Sequence, residues 1–572
     1  MIERLNSKSQ RTVSPRRAAT ALGTLLALGL VGGGCGENGG KFYEWFMAVY
    51  SVSCGNNEEG QGGIAEQDLN TFLTPKGNKQ NIRGSDGGAG HTVAISSDGK
   101  VFTNGANSFG QLGNGTTTPH IPPAEVPGLT DVVDVQAGWF NTVALSVPPP
   151  GLRGRQFGSA AKVYAWGDNF FGQLGDGGVL THSTTPVLVP IIGNVKGIHM
   201  GQWDSVFALM EDGTVQGWGV NANGELGDGT GTNLFSPTPI PGLTNVVQIA
   251  GGGQHTLFLL ADGTVMATGA GSLGQTGLGH NNNVYAPVQI PGLTNVIHVA
   301  AGAEHSIAVN KEGKVFTWGR NFEGQLGSGP TPNTRNVPVE VAGLNCAARA
   351  AAGTNFTWIV RWDGSIRSFG DNQYGQLGDG TFVNRNVPTE PANPPARVFH
   401  AAAGHNHTLL GGSEEPYTVW TVNRQGVAVQ TGDVRYLPIS VFEAGSSTPM
   451  DTEVVVCSPD GGMLAGLHAY PSHLIGPLTV RVRRHETFLS EVVEVPVPVG
   501  GADVNLGVVL LRNGDVNGDN SVGIPDFIQL RNAFGSVPAS PNWNPNADLN
   551  RDGSVSIADF LIFRSNFGAT GE

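Results

Sequence analysis

Cysteine is almost absent from this chain of 572 residues: Cys35, Cys54, Cys346 and Cys457 stand far apart, and no two form a CxxC pair. That spacing gives no zinc site and no dense disulfide framework, and leaves buried free thiols as the expected role. Charge is scarce as well. With 14% charged residues there is little material for long amphipathic helices. Basic residues are outnumbered, 32 Lys and Arg against 46 Asp and Glu, for a formal net charge of −14. That balance gives no reason to expect nucleic-acid binding, which would need a basic face to neutralise phosphates. Long apolar runs are missing too, with one exception: apolar and small residues fill Ala18 to Val31, behind Arg11, Arg16 and Arg17. That stretch is short for a bilayer span and flanked as a secretory signal is. Residues 1–35 are therefore expected to be a signal peptide, and the protein secreted or at the cell surface. Gly32-Gly33-Gly34-Cys35 approximates a lipoprotein cleavage site, and membrane association is expected only through lipid on Cys35.

Glycine, by contrast, is abundant, 86 residues of the chain, and it is ordered into a repeat. The phrase Gly167-Asp168-Asn169-Phe170-Phe171-Gly172-Gln173-Leu174-Gly175 recurs at Gly319 to Gly327 and Gly370 to Gly378, with looser versions opening at Gly105, Gly219 and Gly269. The opening glycines are 62, 52, 50, 50 and 51 residues apart, a period that belongs to a repeat architecture. A second landmark precedes each phrase: Gly88, Gly138, Gly201, Gly252, Gly302, Gly353 and Gly404, leading to pairs such as His91-Thr92, His255-Thr256, His305-Ser306 and His407-Thr408. Between the landmarks lie an apolar run, an Asp-Gly turn such as Asp98-Gly99, Asp212-Gly213 or Asp363-Gly364, and a second run. Asp-Gly supplies the positive φ that tight hairpins need, so each segment reads as strand, turn and strand. Seven of the second landmark stand against six clear phrases. A degenerate seventh phrase, Cys54-Gly55-Asn56-Asn57-Glu58-Glu59-Gly60-Gln61-Gly62-Gly63, sits at the start, so one blade is expected to be completed jointly by the two ends of the repeat region, leaving no open sheet edge.

At these residues the chain resembles the regulator of chromosome condensation repeat family over roughly residues 42–412. The resemblance implies a seven-bladed β-propeller and says less about activity. Founding members of that family exchange nucleotide on a small nuclear GTPase and touch chromatin; others, including bacterial propellers that inhibit β-lactamase, simply bind a protein. The recurring residues read as scaffold. Trp166, Trp218 and Trp318 fill the space between blades, and His91, His255, His305 and His407, replaced elsewhere by Asn141, Asp204 or Phe356, are expected to cap turns rather than to ligate a metal. Departures from the repeat are the places to look for binding, among them the insertion from Pro148 to Lys162, which carries Arg153 and Arg155.

Past Pro416 the repeat ends. Alternating runs at Thr418 to Val422, Ile439 to Phe442, Glu453 to Val456, Leu478 to Val482, Val492 to Val497 and Val504 to Leu511 suggest a β-sandwich over 416–511, a spacer or adhesion module. The strongest chemical signal follows. Asp515, Asn517, Asp519, Ser521 and Asp526 occupy positions 1, 3, 5, 7 and 12 of a calcium loop, and Asp548, Asn550, Asp552, Ser554 and Asp559 repeat the set 33 residues later. Hard oxygen donors at alternate positions are what calcium requires, with Ser521 and Ser554 contributing backbone carbonyls. Each loop runs into a short apolar helix, and the two helices are near copies, Asp526 to Gly535 and Asp559 to Gly568.

Loop then helix, twice, with Asp at position 12, resembles a type I dockerin over 513–572. The resemblance implies two calcium ions, folding that depends on them, and a cohesin partner. Family members of well-studied cellulosomes carry hydroxyl residues at loop positions 10 and 11; here stand Ile524-Pro525 and Ile557-Ala558. The partner is therefore a divergent cohesin-like protein, or another surface of this chain. Overall the sequence predicts a mainly β protein: seven-bladed propeller, β-sandwich, then a small helical paired calcium-loop module. A secreted, non-catalytic binding protein is the first expectation, with the propeller's ligand unknown. The alternative is a component of polysaccharide breakdown, yet no departure from the repeat offers the paired carboxylates a glycosidase needs. Nucleotide exchange, the third reading, would require an intracellular protein.

Overall fold

The structure is a computed structural model of the chain. It describes residues 82–412 apart from 97, 148–160, 179, 363, 393 and 395–397, strands at 50–55 and 69–73 and between 417 and 511, and residues 515–569 apart from 518, 520 and 550–553. The signal peptide at 1–35, the degenerate phrase beyond Gly55, most of the insertion after Pro148, and Asn550 and Asp552 lie outside the described residues.

The chain is mainly β. Six blades of a β-propeller follow one another, each a four-stranded antiparallel meander of consecutive strands: 82–125, 132–188, 195–239, 246–289, 296–340 and 347–389. The first blade shows the plan. Strand Ile82–Gly87 pairs with His91–Ser96, that with Val101–Gly105, and that with His120–Glu125. The first strand of each blade touches the first strand of the next, so these strands surround an axis and the fourth strands form the rim. A further four-stranded sheet joins the two ends of the repeat region, in the order Leu69–Leu73, Tyr50–Gly55, His407–Gly412, Val398–Ala403. Its register repeats that of the six blades: Gly55 lies opposite His407 as Gly105 lies opposite His91 and Gly319 opposite His305.

The apolar core lies between blades. One cluster takes Val143 and Leu145 from the second blade with Ile198 and Trp218 from the third; another takes Leu257 and Leu259 from the fourth with Val299 and Trp318 from the fifth. Trp166, Trp218 and Trp318 are fully buried, as expected of blade spacers. Each also donates its indole N–H to a backbone carbonyl of the preceding blade's phrase, at Gln111 (2.8 Å), Gln173 (3.1 Å) and Gln275 (2.8 Å). The bond offsets the cost of burying the indole N–H. Within the phrase, the Gln side chain accepts from the backbone two residues back, as Gln275 Oε1 does from Leu273 N. The Asn side chain accepts from the Leu N–H, as Asn321 Oδ1 does from Leu326 N.

The recurring histidines do not cap turns. His91, His255, His305 and His407 are buried, and each Nε2 meets a hydroxyl of the next blade: Thr142 (2.9 Å), Ser306 (2.7 Å), Thr357 (3.0 Å) and Thr92 (3.2 Å). They are blade-to-blade ties. The residue in register with them in the third blade is Ser205, not Asp204, because one extra residue separates Gly201 from the strand and puts Asp204 at φ 70°.

Beyond the propeller, strands at Asp433–Leu437, Val454–Ser458, Leu464–Ala469, Tyr417–Arg424 and Val504–Leu511 form one sheet in that order, the last pair parallel. Ile439–Phe442, Pro477–Val482 and Glu491–Pro496 form another. Two helices complete the chain, α1 (Ile524–Ala533) and α2 (Ile557–Asn566). Among the described residues no helix is long and apolar enough to cross a membrane.

Candidate functional site

The C-terminal segment is built as a duplicate. Each helix begins with an Asp in its first turn whose carboxylate accepts from the N-cap backbone, Asp526 from Gly523 N (2.9 Å) and Asp559 from Ser556 N (2.8 Å). In the second helix the arrangement is reciprocal, Ser556 Oγ accepting from Ala558 N at 3.2 Å, whereas Gly523 has no side chain to return the bond in the first. The two halves interlock symmetrically. Gly535 N donates to Val555 O and Val555 N to Ser536 O, while Gly568 N donates to Val522 O and Val522 N to Ala569 O. Val516, Val522 and Leu530 pack with their counterparts Leu549, Val555 and Phe563.

In the first loop three of the predicted ligands converge. Carboxylate oxygens of Asp515, Asp519 and Asp526 all lie within 4.8 Å of one another, and Asp515 and Asp526 are buried. The loop backbone is folded onto these groups: Asn517 N donates to Asp526 Oδ1 (2.8 Å), Asp519 N to Asp515 Oδ1 (2.9 Å) and to Asn517 Oδ1 (2.7 Å), and Ser521 N to Asp519 Oδ1 (2.9 Å). Three carboxylates so close repel one another strongly unless a cation sits among them. The donor set, all oxygen and mostly anionic, fits calcium. In the second loop Asp548 and Asp559 are buried and Ser554 is half-buried.

The propeller has a second irregular place, at the end of the axis where the first two strands of each blade turn. There the hairpin tips are linked around the axis by backbone hydrogen bonds: Gln202 N to Gly252 O, Gly253 N to Ala303 O, Ala303 N to Thr354 O, Thr354 N to His405 O and His405 N to Gly88 O. Between the second and third blades the tip amide has a different acceptor, Trp139 N donating to the Asp204 carboxylate at 2.8 Å. Aromatic rings gather at this break. Phe109 and Phe140 are 4.8 Å apart, Trp139 and Phe140 5.8 Å, Trp139 and Trp203 5.7 Å, and Trp139 and His405 6.0 Å between ring centres. Gln173 Nε2 reaches two carboxylates, Asp168 Oδ2 at 3.0 Å and Asp204 Oδ2 at 3.5 Å. Burial pushes the Asp204 carboxyl up to about 7, helped by its neighbour Asp168. Burial also raises Asp168.

Three matches cover most of these elements. Residues 157–359 match the RCC1-like domain, 98–145 and 363–410 match the regulator of chromosome condensation (RCC1) repeat, and 513–567 match the dockerin type I domain. The chain carries RCC1 repeats and a dockerin. Among similar proteins, the ultraviolet-B receptor UVR8 of Arabidopsis thaliana is 30% identical over 217 residues, 36% of this chain and 45% of that protein. The human regulator of chromosome condensation is 31% identical over 240 residues, 37% of this chain and 53% of its own length. The crystal structure of human WBSCR16 superposes with a TM-score of 0.56 at 22% identity, covering 64% of this chain and 100% of that one. At that identity the likeness is one of fold.

Sequence reasoning located the dockerin loops and missed the axial cluster of the RCC1-like propeller. A signal was present. Across seven hairpin tips, Ala89, Trp139, Trp203, Gly253, Ala303, Thr354 and His405, two are tryptophan, and the second follows the extra residue that displaces Asp204.

Proposed function

We propose that this chain is an exported, non-catalytic recognition protein whose propeller binds a ligand and whose dockerin tethers it to a cohesin-like partner. The propeller has seven blades in this reading, the seventh completed by strands from both ends of the repeat. The two sheets of 416–511 form a sandwich that serves as a spacer. Two calcium ions hold the dockerin: one on Asp515, Asn517, Asp519, Asp526 and the carbonyl of Ser521, one on Asp548, Asn550, Asp552, Asp559 and the carbonyl of Ser554. Without the ions the clustered carboxylates repel, and folding of the module is coupled to binding.

The observation that carries the reading is the convergence of Asp515, Asp519 and Asp526 in a dockerin loop on a chain whose other assigned part is a repeat scaffold. Catalysis is the weaker alternative. Asp168 and Asp204 flank an aromatic surface, but the Gln173 amide lies between their carboxylates, where a glycosidase must leave room for the glycosidic oxygen.

Calorimetry on the full chain is expected to show two calcium ions bound, with helical circular dichroism lost on chelation and Asp526→Ala removing one ion. Immobilised cohesins should then retain the protein with calcium and release it in chelator. Absence of calcium binding would refute the metal assignment; calcium binding without retention by any cohesin would redirect the tether to another surface.

A further inference from the structure

The axial break in the propeller has a counterpart in the fifth blade, and the comparison is instructive. There the hairpin-tip acid is Glu304, which occupies the place of Asp204, immediately before the strand. It is neutralised from within: Arg320, the residue after the phrase glycine Gly319, lies 3.5 Å from Glu304 and 2.9 Å from Glu323, with its guanidinium 5.2 Å from the centre of the Phe322 ring. In the third blade the residue after the phrase glycine Gly219 is Val220. The acid is retained and the cation is missing.

Among the described residues none replaces it. Among the described residues no Lys or Arg pairs with Asp168 or Asp204, and the basic group that Asp168 senses is His182. Behind the carboxylates Asn141 is fully buried with neither amide atom bonded. Asn141 holds the place of the tying histidines, but the next blade offers Val206 where the others offer a hydroxyl. It faces the same point as Asp204: a Cβ on Gly138 would collide with Asn141 Oδ1 and Asp204 Oδ1 together. In front stand the half-buried rings of Trp139, Phe140 and Trp203, whose faces carry negative potential.

We propose that Trp139, Phe140, Trp203, Asp168 and Asp204 form the recognition site of the propeller and that it takes an organic ammonium group, either a lysine side chain or a free alkylammonium. This rests on the reading of the propeller as a binding head. The chemistry selects the class. Acidic side chains without a cation, Asp168 foremost because Asp204 is more deeply buried, and ring faces of negative potential both favour positive charge, and rings favour a cation with an alkyl surface over a hydrated metal ion. A neutral apolar ligand would leave the carboxylates uncompensated, and a sugar would find acceptors in excess of donors.

The test uses the full chain and its tryptophan fluorescence, titrated at constant ionic strength with choline, with Nα-acetyl-lysine N-methylamide, with 3,3-dimethyl-1-butanol as the uncharged copy of choline, and with cellobiose. One of the two cations should quench saturably, and which of them binds distinguishes the free amine from the protein side chain. The alcohol should bind at least tenfold more weakly. Asp168→Asn should weaken the cation at least tenfold with an unchanged denaturation midpoint. Val220→Arg, which restores the internal cation of the fifth blade, should abolish binding. Equal binding of the alcohol, binding of cellobiose in place of both cations, or no saturation at all would overturn the proposal. Because the substituted residues lie in the propeller, any of these failures leaves the calcium and cohesin results standing.

Discussion

At the scale of single residues, the tying histidines set how the propeller responds to acid. Burial holds His91, His255 and His305 down at about 3 and His407 at about 4, and it lowers His199, His298, His400 and His405 as well. A histidine whose folded pKa lies below its unfolded value contributes no penalty while both states are neutral. As pH falls below about 6.5 the unfolded chain takes up protons that the folded chain refuses, and stability drops until the folded pKa is reached. Burial raises four carboxyls, Asp86, Asp168, Asp204 and Glu225, and these act in the opposite sense, for Asp86 and Asp204 from about pH 7 down to the unfolded value of 3.8. Eight imidazoles outweigh four carboxyls. The denaturant midpoint is therefore expected to be flat above about pH 7 and to fall from about pH 6.5 toward pH 4. His305→Phe, which copies Phe356 of the sixth blade, should reduce the slope. A midpoint independent of pH across that interval, or a slope unaffected by the substitution, would contradict this account.

At the scale of the element, the recurring phrase is a hinge between blades as much as a turn. Its last glycine faces the indole of the next blade: a Cβ on Gly277, at φ 73°, would lie 2.7 Å from Trp318 Nε1, whereas one on Gly292, at φ 80°, meets nothing within 4 Å. Both positions disfavour a side chain by conformation, at roughly 1–2 kcal/mol. Only the first adds overpacking, about 1–3 kcal/mol. Gly277→Ala should thus lower the unfolding free energy by clearly more than Gly292→Ala. Trp318→Phe, which loses the bond to Gln275 O and leaves a cavity where the larger indole stood, should cost about 2–4 kcal/mol. Equal effects of the two glycine changes would remove the packing argument. These regularities were legible in the sequence because they recur: hairpins, phrases and both helices stand where period and turn chemistry put them. Interactions that cross between blades were not. The partner of His91 is 51 residues away, and nothing local tells a turn cap from an interblade tie. The displacement of Asp204 was hidden by a single extra residue, and strands Asp433–Leu437 and Leu464–Ala469 carry too weak an alternation to be read alone. The dockerin was readable because metal loops place acidic and amide residues at fixed sequence offsets, so spacing alone marks the domain.

At the scale of the whole molecule, the sheet shared by the chain ends decides whether the repeat is a circle or an arc. Tyr50–Gly55 pairs with His407–Gly412 along its full length, from Tyr50 opposite Gly412 to Gly55 opposite His407. On its other side the same sheet is tied to the first blade, where His405 N donates to Gly88 O and Thr92 meets His407. Remove the N-terminal strands and His407–Gly412 becomes an edge with its backbone groups unpaired, the state that invites pairing with another chain. The loss is not local, because every blade is braced by its neighbours around the axis. A chain beginning at residue 75 is expected to melt lower by at least about 5 °C and to elute as dimers or larger species, with the full-length chain monomeric under the same conditions. A chain ending at residue 512 loses the dockerin instead and should keep the propeller transition in place, because the ties around the axis all lie within 82–412 and the strands that join them. Scanning calorimetry with light scattering on the two truncations separates the cases. An N-terminal truncation that stays monomeric and melts with the full-length protein would show that closure through the chain ends contributes nothing to holding the blades together.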